Sequence, residues 1–492
     1  MKRHKHSLSN YKLLSCDLGE LVPIGLTEVL PGDSIQQATN ALVRAAPLNT
    51  PVMHPLRVSI SHWFVPNRLI WENWEDFITG GPDGMDASEF PTIDLGGSGA
   101  AVGSLADYFG VPTGVPDLEV SALPFRAYAL IYNEWYRDQD LTAELPIDYT
   151  EGADTTTSTA LQNAAWEKDY FTASRPWLAK GPQITVPLGT RANVKGLGID
   201  VGNPASGNTT IRETGETTET TDAIGSGGLN MYMALTGTAP DKWPDVYADL
   251  SSASAVTVDV LREALALQRY QEARARYGSR YSEYLNFLGV GSSDGRLQRP
   301  EYLGGGKETL QFSEVLQTAE GANPVGTLRG HGISSMRSNR YRRFFEEHGY
   351  IISLLTARPK TIYVDGLDRT WNRRTKEDFW QRELEHIGQQ EVLNKELYAA
   401  HSDPEGTFGF SDRYSEYRQQ VSTIAGEFRT IQNQWHFARS FAADPALNAD
   451  FVKCVPTEVP FAVPSEDVLQ IMARHNIQAR RLVTANATSY IY

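Results

Sequence analysis

Leu56-Arg-Val-Ser-Ile60 sets the fold class. Leu56, Val58 and Ile60 alternate with Arg57 and Ser59, the two-residue period of a strand with one buried face. The period returns over 466–483, where Leu469, Ile471, Ala473 and Ile477 face one way and Gln470, Arg474 and Gln478 the other. Tyr350-Ile-Ile-Ser-Leu-Leu355 is an unbroken apolar run of strand length, and Thr361-Ile-Tyr-Val364 reads as a further strand. Between them lie helical patterns. Phe125, Tyr128, Ala129, Tyr132, Trp135 and Tyr136 recur at three- and four-residue steps behind Pro124, and 259–288 repeats the pattern with a break at Gly278. Strand, helix, long loops, helix, strands is not the regular alternation of a βαβ fold. The expectation is one mainly β, antiparallel sandwich with long loop and helical insertions.

The chain has 492 residues, 41 Gly and 26 Pro, which suits a fold with many turns and long connections. Its two cysteines, Cys16 and Cys454, form no disulfide framework and stand in no metal-ligand spacing, so a reducing compartment is the simplest inference. No apolar stretch of signal-peptide length follows the basic start Met1-Lys-Arg-His-Lys-His6, so the protein is expected to be cytosolic when made. Residues 1–50 lack a helical stripe and read as an extended N-terminal arm, with 51–492 as a single domain. Residues 202–228, rich in Thr, Glu and Gly, hold almost no large apolar side chain and cannot offset their ordering entropy by burial. They read as the exposed tip of a surface insertion around 190–255.

Net charge is −15, so the chain taken whole is not built to bind nucleic acid, and any such contact must be local. One cluster fits. Arg337, Arg340, Arg342 and Arg343 crowd around Tyr341, Phe344 and Phe345, joining phosphate-neutralising cations to rings that stack on unpaired bases. The competing reading is a solvated turn whose arginines pair with Glu346 and Glu347. Lys2, Arg3 and Lys5 are a second candidate for the same role. Catalytic signatures are lacking. Gly97-Ser-Gly99 is followed by Val102 where a dinucleotide loop needs glycine, and Gly304-Gly-Gly-Lys307 lacks the first glycine and the Ser/Thr of a phosphate loop. Nothing nearby completes a metal site with His4 and His6. A secreted β-sandwich carbohydrate-active enzyme is the alternative that ten tryptophans and many acids would suit, but no local motif marks its carboxylate pair.

Several phrases, in order along the chain, carry a family resemblance: His4-Lys-His-Ser-Leu-Ser9, Glu28-Val-Leu-Pro-Gly-Asp33, Phe64-Val-Pro-Asn-Arg68 with Trp71-Glu-Asn-Trp74, Leu123-Pro-Phe-Arg-Ala-Tyr128, Lys168-Asp-Tyr-Phe-Thr172, Arg296-Leu-Gln-Arg-Pro-Glu-Tyr-Leu-Gly-Gly305, Glu347-His-Gly-Tyr350 and Gln390-Glu-Val-Leu-Asn-Lys-Glu-Leu-Tyr398. The chain resembles the major capsid proteins of the microviruses, closest to the gokushovirus branch. It departs from the family phrases at Gly388-Gln-Gln390 and at Gln381.

The resemblance implies an eight-stranded antiparallel jelly roll and self-assembly into a T=1 icosahedral shell around a circular single-stranded DNA phage genome. It implies no enzymatic activity, residence in the virion, and no membrane. Implied partners are further copies of the chain, the viral DNA, a small basic DNA-binding peptide, an internal scaffolding protein and a pilot or minor protein. No cofactor is expected, and structural calcium is left open. The segment 202–228, with Asn208, Thr209, Thr210, Glu213, Thr217 and Thr218, looks like the tip of the family's threefold protrusion and a host-contact loop. A shell subunit needs several contacts of roughly 1,000 Å² or more. Trp63, Phe64, Trp71, Trp74 and Phe77 are the candidates for subunit interfaces, with packing inside one subunit as the alternative.

Overall fold

The computed structural model describes residues 3–182, 184, 258–277, 280–316, 318 and 324–484, and the backbone of short strands between 193 and 249. Two compact units divide the chain: Met1–Leu178 with Ala275–Tyr492, and Ala179–Arg274.

The first unit is built on ten strands: β1 (His4–Ser7), β2 (Asn10–Cys16), β3 (Val22–Val29), β4 (Ser34–Ala45), β5 (Leu56–Pro66), β6 (Glu301–Leu316), β7 (Leu328–Arg337), β8 (Tyr341–Phe344), β9 (Gly349–Pro359) and β10 (Leu469–Arg481). All pair antiparallel in the order β1-β10-β4-β7-β6-β5-β9-β3. β2 joins β10 beside β1, and β8 joins β4 beside β7. Ten strands therefore fill eight positions, as the jelly-roll reading requires. The long β6 makes the corner, since residues 301–310 pair with β5 and residues 311–316 with β7. One sheet, β1/β2-β10-β4-β7/β8, packs on the other, β5-β9-β3. Val43, Ile471 and Ala473 of the first meet Leu56, Val58, Ile60 and Leu355 of the second in one apolar cluster.

Strand alternation explains why β10 could be read from sequence. Its odd-numbered residues from Leu469 to Ala479 are buried, and most of the even-numbered ones are exposed. β9 has no such alternation because both of its faces are covered. Leu355 faces the sandwich interior, while Ile352 and Leu354 join Trp63, Trp71, Phe125, Tyr128 and Ile131 in a second cluster. Phe125, Tyr128 and Ile131 belong to the helix Leu123–Ile131, which continues as a π turn over Tyr132–Tyr136. Arg126 on that helix is fully buried and pairs with equally buried Asp154 at 2.8 Å.

Two sequence expectations need correcting. Residues 1–50 are extended but are not an arm lying outside the sandwich. Ser34–Ala45 is a central strand, and His4–Cys16 lies along β10. Polar residues such as Gln37 and Thr39 hid this, because they are buried in a hydrogen-bonded network rather than exposed. Thr361–Val364 is not a strand; Tyr363 makes only isolated bridges and packs in a separate aromatic cluster with Tyr170 and Phe171.

The insertion around 190–255 falls largely outside the described residues. So do Asn208, Thr209, Glu213, Thr217 and Thr218, and only the strand backbone is described for Thr210.

Candidate nucleic-acid interface

Residues facing each other across an antiparallel ladder share a face of the sheet. In the β1/β2-β10-β4-β7/β8 sheet, register places Lys5 opposite Arg480, Arg480 opposite Ser34, and Ser34 opposite Phe344. Two residues further along, Ser7, Gln478, Gln36 and Arg342 form the next row. Tyr11, Arg474, Asn40 and Arg337 form another, and Ser15, Gln470, Arg44 and Ile333 a fourth. These rows alternate with the buried set containing Ile35, Val43, Ile471 and Ala479, so they lie on the face turned away from the sandwich core.

Six cations therefore share one face: Lys5, Arg44, Arg337, Arg342, Arg474 and Arg480. All are exposed, and none makes a salt bridge among the described residues. No position in these rows carries a carboxylate. In a chain of net charge −15 this local excess is marked. Rings lie among the cations. Tyr11 is 63% exposed with the Arg474 guanidinium 5.5 Å from its centroid, and Phe344 is 46% exposed with Arg3 4.8 Å from its centroid.

The structure sorts the sequence candidates. Arg337, Arg342 and Lys5 stand on this face, and Arg3 reaches it through Phe344. Arg340 is exposed in the turn between β7 and β8. Arg343 points to the other side and pairs with Glu301 at 2.9 Å. Tyr341 is buried and donates its hydroxyl to Gln37 Oε1 at 2.7 Å, so it offers no stacking surface. Lys2 is outside the described residues. The competing solvated-turn reading also changes, since Glu347 pairs with Arg68 and not with the arginine cluster. Sequence reasoning missed Arg44, Arg480 and Tyr11 as members of the site. The alternation of β10 placed Arg474 on a polar face, but only strand pairing shows which other strands share it.

The candidate interface aromatics divide in the same way. Trp63, Phe64 and Trp71 are at most 7% exposed and pack within the subunit. Trp63 stacks near Trp135 and Tyr302, and Phe64 near Phe345. Trp74 is half-buried against Trp71 and His348, and Phe77 is 37% exposed.

An antiparallel jelly roll with long insertions and one cationic sheet face is an architecture that suits a shell-building protein. The capsid protein (F protein) family model matches residues 1–490, and the chain belongs to that family. It is 36% identical to capsid protein VP1 of Bdellovibrio phage phiMH2K, over 91% of this chain and 87% of that relative. It is 33% identical to capsid protein VP1 of Chlamydia phage 1, over 92% and 89%, and 32% identical to capsid protein VP1 of Spiroplasma virus 4, over 92% and 87%. All three relatives are gokushoviruses. The protein is the major capsid subunit of a microvirus-type phage, a structural component of the virion and not an enzyme. The carbohydrate-active alternative has no support. No described helix is long and apolar enough to cross a membrane.

Proposed function

We propose that about sixty copies assemble into a T=1 shell around a circular single-stranded DNA genome, with the cationic face of the β1/β2-β10-β4-β7/β8 sheet turned toward the DNA. The observation that carries this reading is the gathering on one face of six cations that make no salt bridge among the described residues, together with two exposed rings, in register rows whose own positions hold no carboxylate. Cations neutralise phosphates, and rings stack on bases regardless of sequence, which suits packaging of a whole genome. The remaining net negative charge leaves the rest of the DNA charge to ions or to a small basic DNA-binding peptide. An internal scaffolding protein and a pilot protein complete this reading of the partners. Residues 202–228 fit a host-contact surface by composition, and exchanging them should alter attachment while shells still form.

The test is binding of single-stranded oligonucleotide to dissociated subunits across a salt series. Six phosphate contacts correspond to a slope of about −4 in log K against log salt. A slope near zero would remove this face from the account.

A further inference from the structure

A second charged feature lies on the other side of the sandwich. A groove of about 550 Å³ opens over the outer face of β5 and β9, lined by seven arginines and lysines against three carboxylates. Arg280, Lys307 and Arg358 make no ion pair among the described residues. Among the described residues, the Arg280 and Arg358 side chains bond backbone carbonyls of Asn133, Arg137 and Ala165. The side chain of Arg137 is 8% exposed, and its buried Nε has no hydrogen-bond partner among the described residues. Trp135, Tyr136 and Trp166 add apolar wall.

The same chain carries a matching surface. From residue 69 to residue 125 there are ten Asp and Glu and no Lys, Arg or His. Glu72, Glu75, Asp76, Asp83, Asp86, Glu89 and Asp94 are all exposed, and none forms an ion pair among the described residues. Met85, 82% exposed, stands at the tip between Asp83 and Asp86.

We propose that the acidic loop 72–94 of one copy docks into the basic groove of a neighbouring copy. The contact joins two different surfaces, as a heterologous ring-forming interface does. Opposite charge draws the loop in, and Met85 supplies a flexible apolar side chain for the aromatic wall. The proposal rests on self-assembly into a shell and adds where two copies meet.

Zero-length carbodiimide coupling of intact particles, followed by peptide mass spectrometry, tests it. The expected product is an amide between Lys307 or Lys168 and Asp83, Asp86 or Glu89, present in particles and absent from dissociated subunits. Lys307→Glu, and separately Asp83→Lys with Asp86→Lys and Glu89→Lys, should each lower shell yield about tenfold at unchanged subunit melting temperature, and combining them should restore part of it. Particles that form normally without that crosslink, with variants that assemble like the parent, would overturn the docking while leaving the shell role intact. Crosslinking of the groove to packaged DNA would overturn it equally.

Discussion

Arg342 and Arg343 are neighbours in the chain, and strand alternation sends them to opposite sides of β8. Arg342 faces Gln36 on the cationic face, whereas Arg343 pairs with Glu301 at 2.9 Å. Two identical side chains thus have different electrostatic roles. Arg342→Ala should weaken single-stranded DNA binding and make the salt slope shallower by about 0.7. Arg343→Ala should leave that slope unchanged. Fluorescence anisotropy over a salt series reads both, and equal effects from the two variants would refute the assignment of faces.

Tyr11 and Phe344 make a second, separable contribution. Each ring is exposed beside a guanidinium that orients it. Replacing either with alanine should cost about 1–3 kcal/mol of DNA affinity for each base stacked. The salt slope should stay as it is, because no cation is lost. Tyr341→Phe is the contrast. It removes only a buried hydroxyl bonded to Gln37, so it should affect subunit stability and not DNA affinity.

The legible parts of the fold were those where one face of an element is apolar and the other polar. β10 and the first half of β5 show this, and their strand period survived intact. β4 was missed because its buried positions include Gln37 and Thr39, which are satisfied by Ser353 across the sandwich and by Tyr341 and His475 on the neighbouring strands β8 and β10. Partners more than 300 residues away in sequence leave no local signal. The cationic face was half visible for the same reason. Arg337 and Arg342 are close in sequence, but Lys5, Arg44, Arg474 and Arg480 join them through pairing of β1, β4, β7, β8 and β10.

The buried pair Arg126–Asp154 gives a stability prediction. Neither side chain is exposed, and Asp154 also accepts hydrogen bonds from Thr156 and Thr157. Arg126→Leu strands a carboxylate in the interior and should cost about 3–5 kcal/mol of unfolding free energy. Adding Asp154→Leu should recover much of that loss, because an apolar pair of similar volume avoids desolvation. Urea denaturation of dissociated subunits measures both, and a double variant worse than the single one would contradict the argument.

The histidine network should make the subunit acid-sensitive. His62 is fully buried, with Nδ1 2.8 Å from Ser353 Oγ and Nε2 3.2 Å from Ser338 Oγ. Burial pushes its pKa down to about 3, with the charge of nearby His475 adding to the effect. His475, buried and bonded to Thr39 Oγ1 and the Ile24 carbonyl, is also lowered by burial. In the unfolded chain these imidazoles take up protons below about pH 6.5, and in the folded subunit they stay neutral. The unfolded state therefore binds more protons, so stability is full above pH 6.5 and falls as the pH drops toward the folded values. For His62 alone the loss between pH 7 and pH 5 is about 2 kcal/mol. His62→Gln can keep hydrogen bonds to the two serines and cannot take up a proton. Its urea midpoint should start lower than the parent's at pH 7 and decline less steeply toward pH 5. Parallel declines for parent and variant would show that His62 titrates alike in both states and would remove it as a source of acid sensitivity.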